Sequence, residues 1–104
     1  MYYIYMLRCK DNSIYTGITT DIDRRMEEHF NKDDKCAKYT LNHTVEKLEV
    51  AWETENRVLA SKLEYHIKKL PKRDKEKLIQ KANRIDSLLE DKIDANKYKI
   101  YRRS

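Results

Sequence analysis

Tyr5, Tyr15, Gly17, Arg25, His29 and Glu64 are the residues whose types and spacing offer chemistry in this 104-residue chain. If residues 2–9 and 14–18 form a hairpin turning about Asn12, Gly17 lies opposite Leu7 and Tyr5 opposite Thr19. Tyr5, Leu7, Tyr15 and Gly17 then share one sheet face. A register slipped by two residues keeps them together, and a slip of one separates them. The two phenols would stand roughly 7–13 Å apart along the strand direction. Gly17 is the only glycine in the chain, where average composition would supply about seven. A glycine inside a strand marks close approach by a ligand or another stretch of chain. The plain alternative is a tyrosine-rich strand with a bend, because tyrosine favours strands in any case.

Arg25 and His29 are four residues apart and share a helix face. Both flank a predicted apolar stripe of Ile22, Met26 and Phe30, so they project along the edge of a packed interface. A surface arginine beside a polar histidine is the plain alternative. Glu64 lies between Ala60 and Ile67 in helical spacing, on the shoulder of an apolar face. A carboxylate partly withdrawn from water needs a cation or donors. Its partner is either Lys68, one turn further on, or a divalent metal, since hard cations prefer oxygen ligands. His66 projects elsewhere and reads as structural or exposed.

These side chains need a frame. YYIYMLRC at residues 2–9 suits a strand buried on both faces. Asp11-Asn12-Ser13 is a turn cluster, and Ile14 to Ile18 reads as the second strand. Thr20 is placed to cap a helix whose first turn carries Asp21 and Asp23. Residues 31–44 read as polar and irregular, and VEKLEVAW at 45–52 as a third strand. A helix is predicted from about Glu55 to Leu70, closed by Pro71. A basic helix follows over Lys72 to Ala82, then another over 84–94 with Ile85, Leu88, Leu89 and Ile93 on one side. KYKIYRRS is either a short strand or a loose tail. The element order is β-β-α-β-α-α, an α/β (α+β) arrangement around a small sheet.

Length and composition narrow the class. Apolar and charged residues each make up 39%, enough for one modest core under a densely ionic surface. The reading is one domain over residues 1–82 and a C-terminal extension, 83–104, packed on it or trailing from it. No apolar run approaches the length of a membrane span, and no signal-peptide pattern opens the chain, so a soluble, cytoplasmic protein is expected. Cys9 and Cys36 match no metal or redox spacing and are expected as reduced thiols. The net charge of +5 is unevenly placed. Lys68 to Arg84 holds eight basic residues against Asp74 and Glu76. That stretch is either a solvated helix face or a surface for phosphate backbones.

Tyr3-Ile4-Tyr5, Tyr15-Thr16-Gly17, Arg25 and His29 within DRRMEEH, and Leu63-Glu64 within ASKLEYHIKKL together resemble the GIY-YIG nuclease superfamily. IYTGITTDIDRR, AKYT and KLEYHIKKL are similar to its small standalone bacterial and phage members. The match spans roughly residues 2–70. The resemblance implies a three-stranded antiparallel sheet flanked by helices, here with an extra C-terminal helical segment. It also implies phosphodiester cleavage with one divalent metal, Mg²⁺ or Mn²⁺. It assigns the motif tyrosines to Tyr5 and Tyr15, the motif glycine to Gly17, the arginine to Arg25, the helix histidine to His29 and the metal-binding glutamate to Glu64. Tyr39 in AKYT is a candidate for lining the site. The first motif departs from the family by opening with Tyr3 rather than glycine, and the second by carrying Thr16 at its centre.

On this reading, Tyr5 or Tyr15 takes a proton from water with help from His29. Arg25 binds the phosphate through its planar fork of donors, and Glu64 holds the cation. Lys68, Lys69, Lys72 and Arg73 grip flanking phosphates of a nucleic acid, DNA foremost. Two rival readings follow from the same letters: a nucleic-acid-binding module of this fold without catalysis, and a protein-interaction domain built on the charged 84–94 segment and its tail.

Overall fold

The computed structural model of the chain describes residues 1–31 and 38–102; Cys36 lies outside the described residues. The predicted hairpin forms from β1 (Tyr2–Cys9) and β2 (Ile14–Thr19). Its turn is tighter than a loop centred on Asn12. The Asn12 N–H donates to the Cys9 carbonyl and the Cys9 N–H to the Ser13 carbonyl, each at 2.9 Å. Asn12 itself sits at φ 71°. This is a three-residue loop closing on a left-handed residue, a conformation asparagine tolerates better than most side chains. The Asp11 carboxylate accepts from the Ser13 N–H and hydroxyl and braces the turn. The centre of the loop therefore moves to Asp11. Tyr5 faces Gly17 and Leu7 faces Tyr15, two residues from the expected register. Because the shift is even, Tyr5, Leu7, Tyr15 and Gly17 stay on one face.

β3 (Val45–Thr54) pairs with the other side of β1, and β4 (Lys99–Tyr101) pairs with β3. The sheet order is β2-β1-β3-β4, antiparallel throughout. The sheet thus has four strands, where three were expected. The tail supplies the fourth because its alternation lets Tyr98 and Ile100 join the core while Lys99 lies opposite Glu53, an opposite-charge pair.

β1 is covered on both faces, and Ile4, Tyr5, Met6 and Leu7 have no exposed surface. On one face, Tyr5, Leu7, Cys9 and Ala51 pack with Ile22 and Met26 of α1 (Ile22–Phe30). α1 starts where the Asp21 side chain accepts from the Arg24 N–H at 3.1 Å. The cap is thus Asp21 rather than Thr20. The buried stripe of α1 is Ile22, Met26 and His29. Phe30, expected in it, is 46% exposed, because a step of one residue turns it about 100° past His29. A short helix, α2 (Lys38–Asn42), forms within the segment read as irregular and carries Tyr39 and Thr40.

On the opposite face, Ile4, Met6 and Trp52 pack with Ala60, Leu63 and Ile67 of α3 (Arg57–Lys68) and Leu78 of α4 (Lys72–Gln80). The Asn56 side chain caps α3 by accepting from the Leu59 N–H at 2.9 Å, and Pro71 separates the two helices. The helix expected over 84–94 is shorter: a 3-10 turn at 82–84, then α5 (Ile85–Leu88). The N–H groups of Lys92 and Ile93 both return to the Leu89 carbonyl. The chain turns there, and Ile85, Leu89 and Ile93 still reach the core. No helix among the described residues is long and apolar enough to cross a membrane.

Candidate active site

Tyr5 lies across from Gly17 on the sheet, and its ring folds over that position. A Cβ added at Gly17 would come within 2.5 Å of the Tyr5 hydroxyl oxygen and 3.0 Å of the Tyr15 ring. Gly17 has no positive φ, so what requires it is space rather than backbone conformation. The close neighbour it makes room for is the Tyr5 phenol itself.

From α1, His29 reaches the same phenol: its Nε2 is 2.9 Å from the Tyr5 hydroxyl. Its Nδ1 is 2.9 Å from the Thr40 hydroxyl of α2. Tyr5, His29 and Thr40 are all buried. The Arg25 Nε–H donates to the Tyr5 oxygen at 3.4 Å. The phenol therefore accepts from Arg25 and donates its own proton to His29 Nε2. That assignment places the imidazole proton on Nδ1, where it is donated to Thr40. Burial, aided by the Arg25 charge and opposed by Glu28, lowers the His29 pKa to about 4. The imidazole is thus neutral at pH 7, as the assignment requires. Burial also raises the Tyr5 pKa well above the usual phenol range, against the opposing hydrogen bond from Arg25. Desolvation works against the Arg25 charge, but the Glu28 carboxylate at 2.9 Å and the Tyr5 hydroxyl outweigh it and raise the Arg25 pKa.

Tyr15 stands at the mouth of this group, half-buried. Its ring is 6.2 Å from Tyr5, 5.6 Å from His29 and 5.6 Å from Tyr39, the last a stacked pair. Tyr39 stacks in turn on His43 at 4.1 Å, and His43 Nδ1 pairs with Asp11 at 2.6 Å.

Glu64 arrives from the other face of the sheet. α3 packs beneath the sheet, yet β2 is its edge strand, so side chains on the flank of α3 pass that edge. The Lys68 ammonium is 3.3 Å from the Glu64 carboxylate and 5.7 Å from the Tyr15 ring centre. The Glu64 charge is also close enough to act on the Tyr5 hydroxyl.

Tyr5, Tyr15, Gly17, Arg25, His29, Tyr39, Glu64 and Lys68 are thus brought to one place. Lys69 is turned to another face, with its ammonium over Tyr65 at 4.9 Å. Lys72 and Arg73 are exposed at the start of α4. Two residues join that sequence reasoning did not single out. Thr40 holds the far side of His29; AKYT was its only trace, inside a stretch with no periodicity. Lys75 is half-buried beside Lys68, and burial followed by the Lys68 charge lowers its pKa. Two ammonium groups whose charges act on each other favour an incoming anion.

The arrangement can bind a phosphate, at Arg25 and the Lys68–Lys75 pair, and can present a phenol and a carboxylate to it. Comparisons with known proteins show the family. Residues 1–78 match the GIY-YIG catalytic domain. The chain is 46% identical to the UPF0213 protein FN1575 of Fusobacterium nucleatum subsp. nucleatum, covering 95% of this chain and 94% of that one. It is 41% identical to the UPF0213 protein YhbQ of Salmonella arizonae, covering 85% and 86%. A solution NMR structure of the UPF0213 protein BH0048 from Bacillus halodurans aligns with a TM-score of 0.49 at 41% identity, covering 77% and 84%. With residues 1–78, three quarters of its length, matched by the catalytic-domain model, and with both motif tyrosines set against one glycine, this chain belongs to the GIY-YIG family.

Proposed function

We propose that the chain is an endonuclease that hydrolyses phosphodiester bonds in nucleic acid, DNA foremost, with one divalent cation, Mg²⁺ or Mn²⁺. The observation that carries this reading is the convergence of Tyr5, Tyr15, Arg25, His29 and Glu64 from β1, β2, α1 and α3 at one sheet edge.

The donor set fits such a cation. Among the described residues no three Asp, Glu, His or Cys side chains cluster into a cage; with Glu28 held by Arg25 at 2.9 Å, Glu64 is the carboxylate on offer. Magnesium commonly keeps several waters and takes one or two carboxylates plus substrate phosphate oxygens. Glu64 would hold it, with Lys68 released to the substrate. When bound, the cation offsets charge on the phosphoryl and leaving oxygens.

The remaining work falls to the chain's own side chains. Arg25 binds the phosphate and steadies the charge that grows on it. Tyr15, at the mouth beside the Lys68 ammonium, orients the attacking water through its phenol oxygen. Tyr5 keeps its proton, because it is buried and donates to His29; it positions Arg25. His29 and Thr40 fix the orientation of Tyr5.

A supercoiled-plasmid nicking assay with Mg²⁺ and Mn²⁺ tests the proposal. Arg25→Ala and Glu64→Ala should each lower the nicking rate by roughly two to three decades, with DNA binding in EDTA retained. One observation favours a second reading: Glu64 already has Lys68 as its partner. A wild-type chain that binds DNA but nicks none with either metal would be the non-catalytic binding module.

A further inference from the structure

Lys68 faces Tyr15, but its neighbours on α3 turn toward a different groove. Tyr65, His66, Lys69, Leu70, Leu88, Leu89 and Lys92 line a depression of about 370 Å³. Its floor is aliphatic, one wall is an aromatic ring and its rim is cationic. Tyr65 is 54% exposed, so part of its ring is open to a ligand. Lys69 already holds a cation over that ring, and His66 meets its edge at 5.1 Å. No carboxylate belongs to the lining, although the chain has 18 acidic residues. Among the described residues Lys62, Lys69 and Lys92 form no ion pair. All three nevertheless lie near enough to His66 that their charges, after desolvation, hold its pKa below the usual range. Unneutralised cations beside an exposed ring are the make-up of a surface for unpaired nucleotides. The ring stacks a base of any sequence, and the ammonium groups take phosphates.

The groove lies around the end of α3 from the site already described. Lys68 ends α3 and Lys69 follows it as its cap, and a helix is only about 10–12 Å across. One strand can therefore touch Tyr15 and then pass over α3.

We propose that this groove is a second nucleic-acid subsite, taking a single-stranded segment that flanks the scissile phosphate, with a base on Tyr65 and phosphates on Lys69 and Lys92. The proposal rests on the nuclease reading and narrows its substrate class to nucleic acids with unpaired nucleotides beside the cut. A fully paired duplex has its base faces already stacked and offers nothing to Tyr65.

The test uses the full chain labelled with ¹⁵N and titrated in EDTA with a ten-nucleotide oligothymidylate, a blunt duplex and a polyglutamate peptide. Amide shifts from the oligothymidylate are expected at Tyr65, His66, Lys69, Leu89 and Lys92 as well as at Tyr15 and Arg25. In anisotropy titrations Tyr65→Ala should weaken oligothymidylate binding by about tenfold and leave duplex binding little changed. Lys92→Ala should lower the slope of log affinity against log salt by about 0.7. Shifts confined to Tyr15, Arg25 and Lys68 would overturn the subsite while leaving the nuclease reading in place. So would an equal loss on the duplex in Tyr65→Ala, or equal affinity for polyglutamate. Shifts in the groove with none at Tyr15 or Arg25 would support the groove and sink the nuclease reading instead.

Discussion

At the scale of single residues, Gly17 and His29 decide whether the phenols are held. A methyl group at position 17 meets the Tyr5 hydroxyl at 2.5 Å, and neither β1 nor the buried ring has room to retreat. Gly17→Ala should cost about 1–3 kcal/mol through overpacking and break the Tyr5–His29 hydrogen bond. Nicking should fall at least tenfold, by roughly the worth of one positioned contact, in a chain that still gives a dispersed NMR spectrum. Normal nicking by the folded variant would remove this role. His29 gives a pH signature of the fold. Its folded pKa, about 4, lies below the usual histidine value of 6.5. Between those values the unfolded chain binds a proton that the folded chain refuses, so stability rises with pH and is lost as pH falls through this window. Urea unfolding between pH 6.5 and 5 should lose about 2 kcal/mol, and His29→Gln should flatten that slope. Of these two residues, Gly17 was legible from its rarity and its place in a tyrosine motif. The burial of His29 was not, because apolar periodicity favoured Phe30, and only the Tyr5 and Thr40 hydroxyls make a buried imidazole tolerable.

Elements were easier to find than to place against one another. The strands and long helices follow from apolar runs, caps and Pro71. The hairpin register instead turns on Asn12 accepting a left-handed conformation, which composition alone does not reveal. The anchoring of α4 is less visible still. Arg8 on β1 pairs with Glu49 at 3.0 Å and with Glu76 on α4, partners 41 and 68 residues away in sequence. The Arg8 side chain is 11% exposed and that of Glu49 14%, so removing the guanidinium leaves a carboxylate withdrawn from water with only the exposed Lys47 ammonium, 3.7 Å away, to answer it. Arg8→Ala should therefore cost about 3 kcal/mol, read from the urea midpoint. Glu76→Ala should cost about 1 kcal/mol, since its side chain is 32% exposed and Arg8 keeps Glu49. Equal costs for the two variants would show that the ion pair to α4, rather than the buried pair to β3, dominates.

For the molecule as a whole, the sequence foretold a small antiparallel sheet with helices and a concentration of positive charge. It left the tail open between a short strand and coil, because three residues carry too little periodicity to distinguish pairing from coil; the tail pairs as β4. The positive charge of Lys68 to Arg84 begins at the site, where the Lys68 charge acts on Lys75, and continues along the solvent side of α4. Neutralising about four duplex phosphates would give a slope of log affinity against log salt near −3.6. Anisotropy titrations from low to moderate salt measure it, and a flat response would take this stretch out of the binding surface. A last consequence concerns Trp52, the only tryptophan in the chain. Its indole has no exposed surface and donates its Nε1–H to the Ala82 carbonyl at 3.1 Å, where the C-terminal segment meets the sheet. Its emission spectrum is therefore an optical gauge of that seam. A red shift would signal that the segment has peeled away, independently of anything happening among the tyrosines at the far edge.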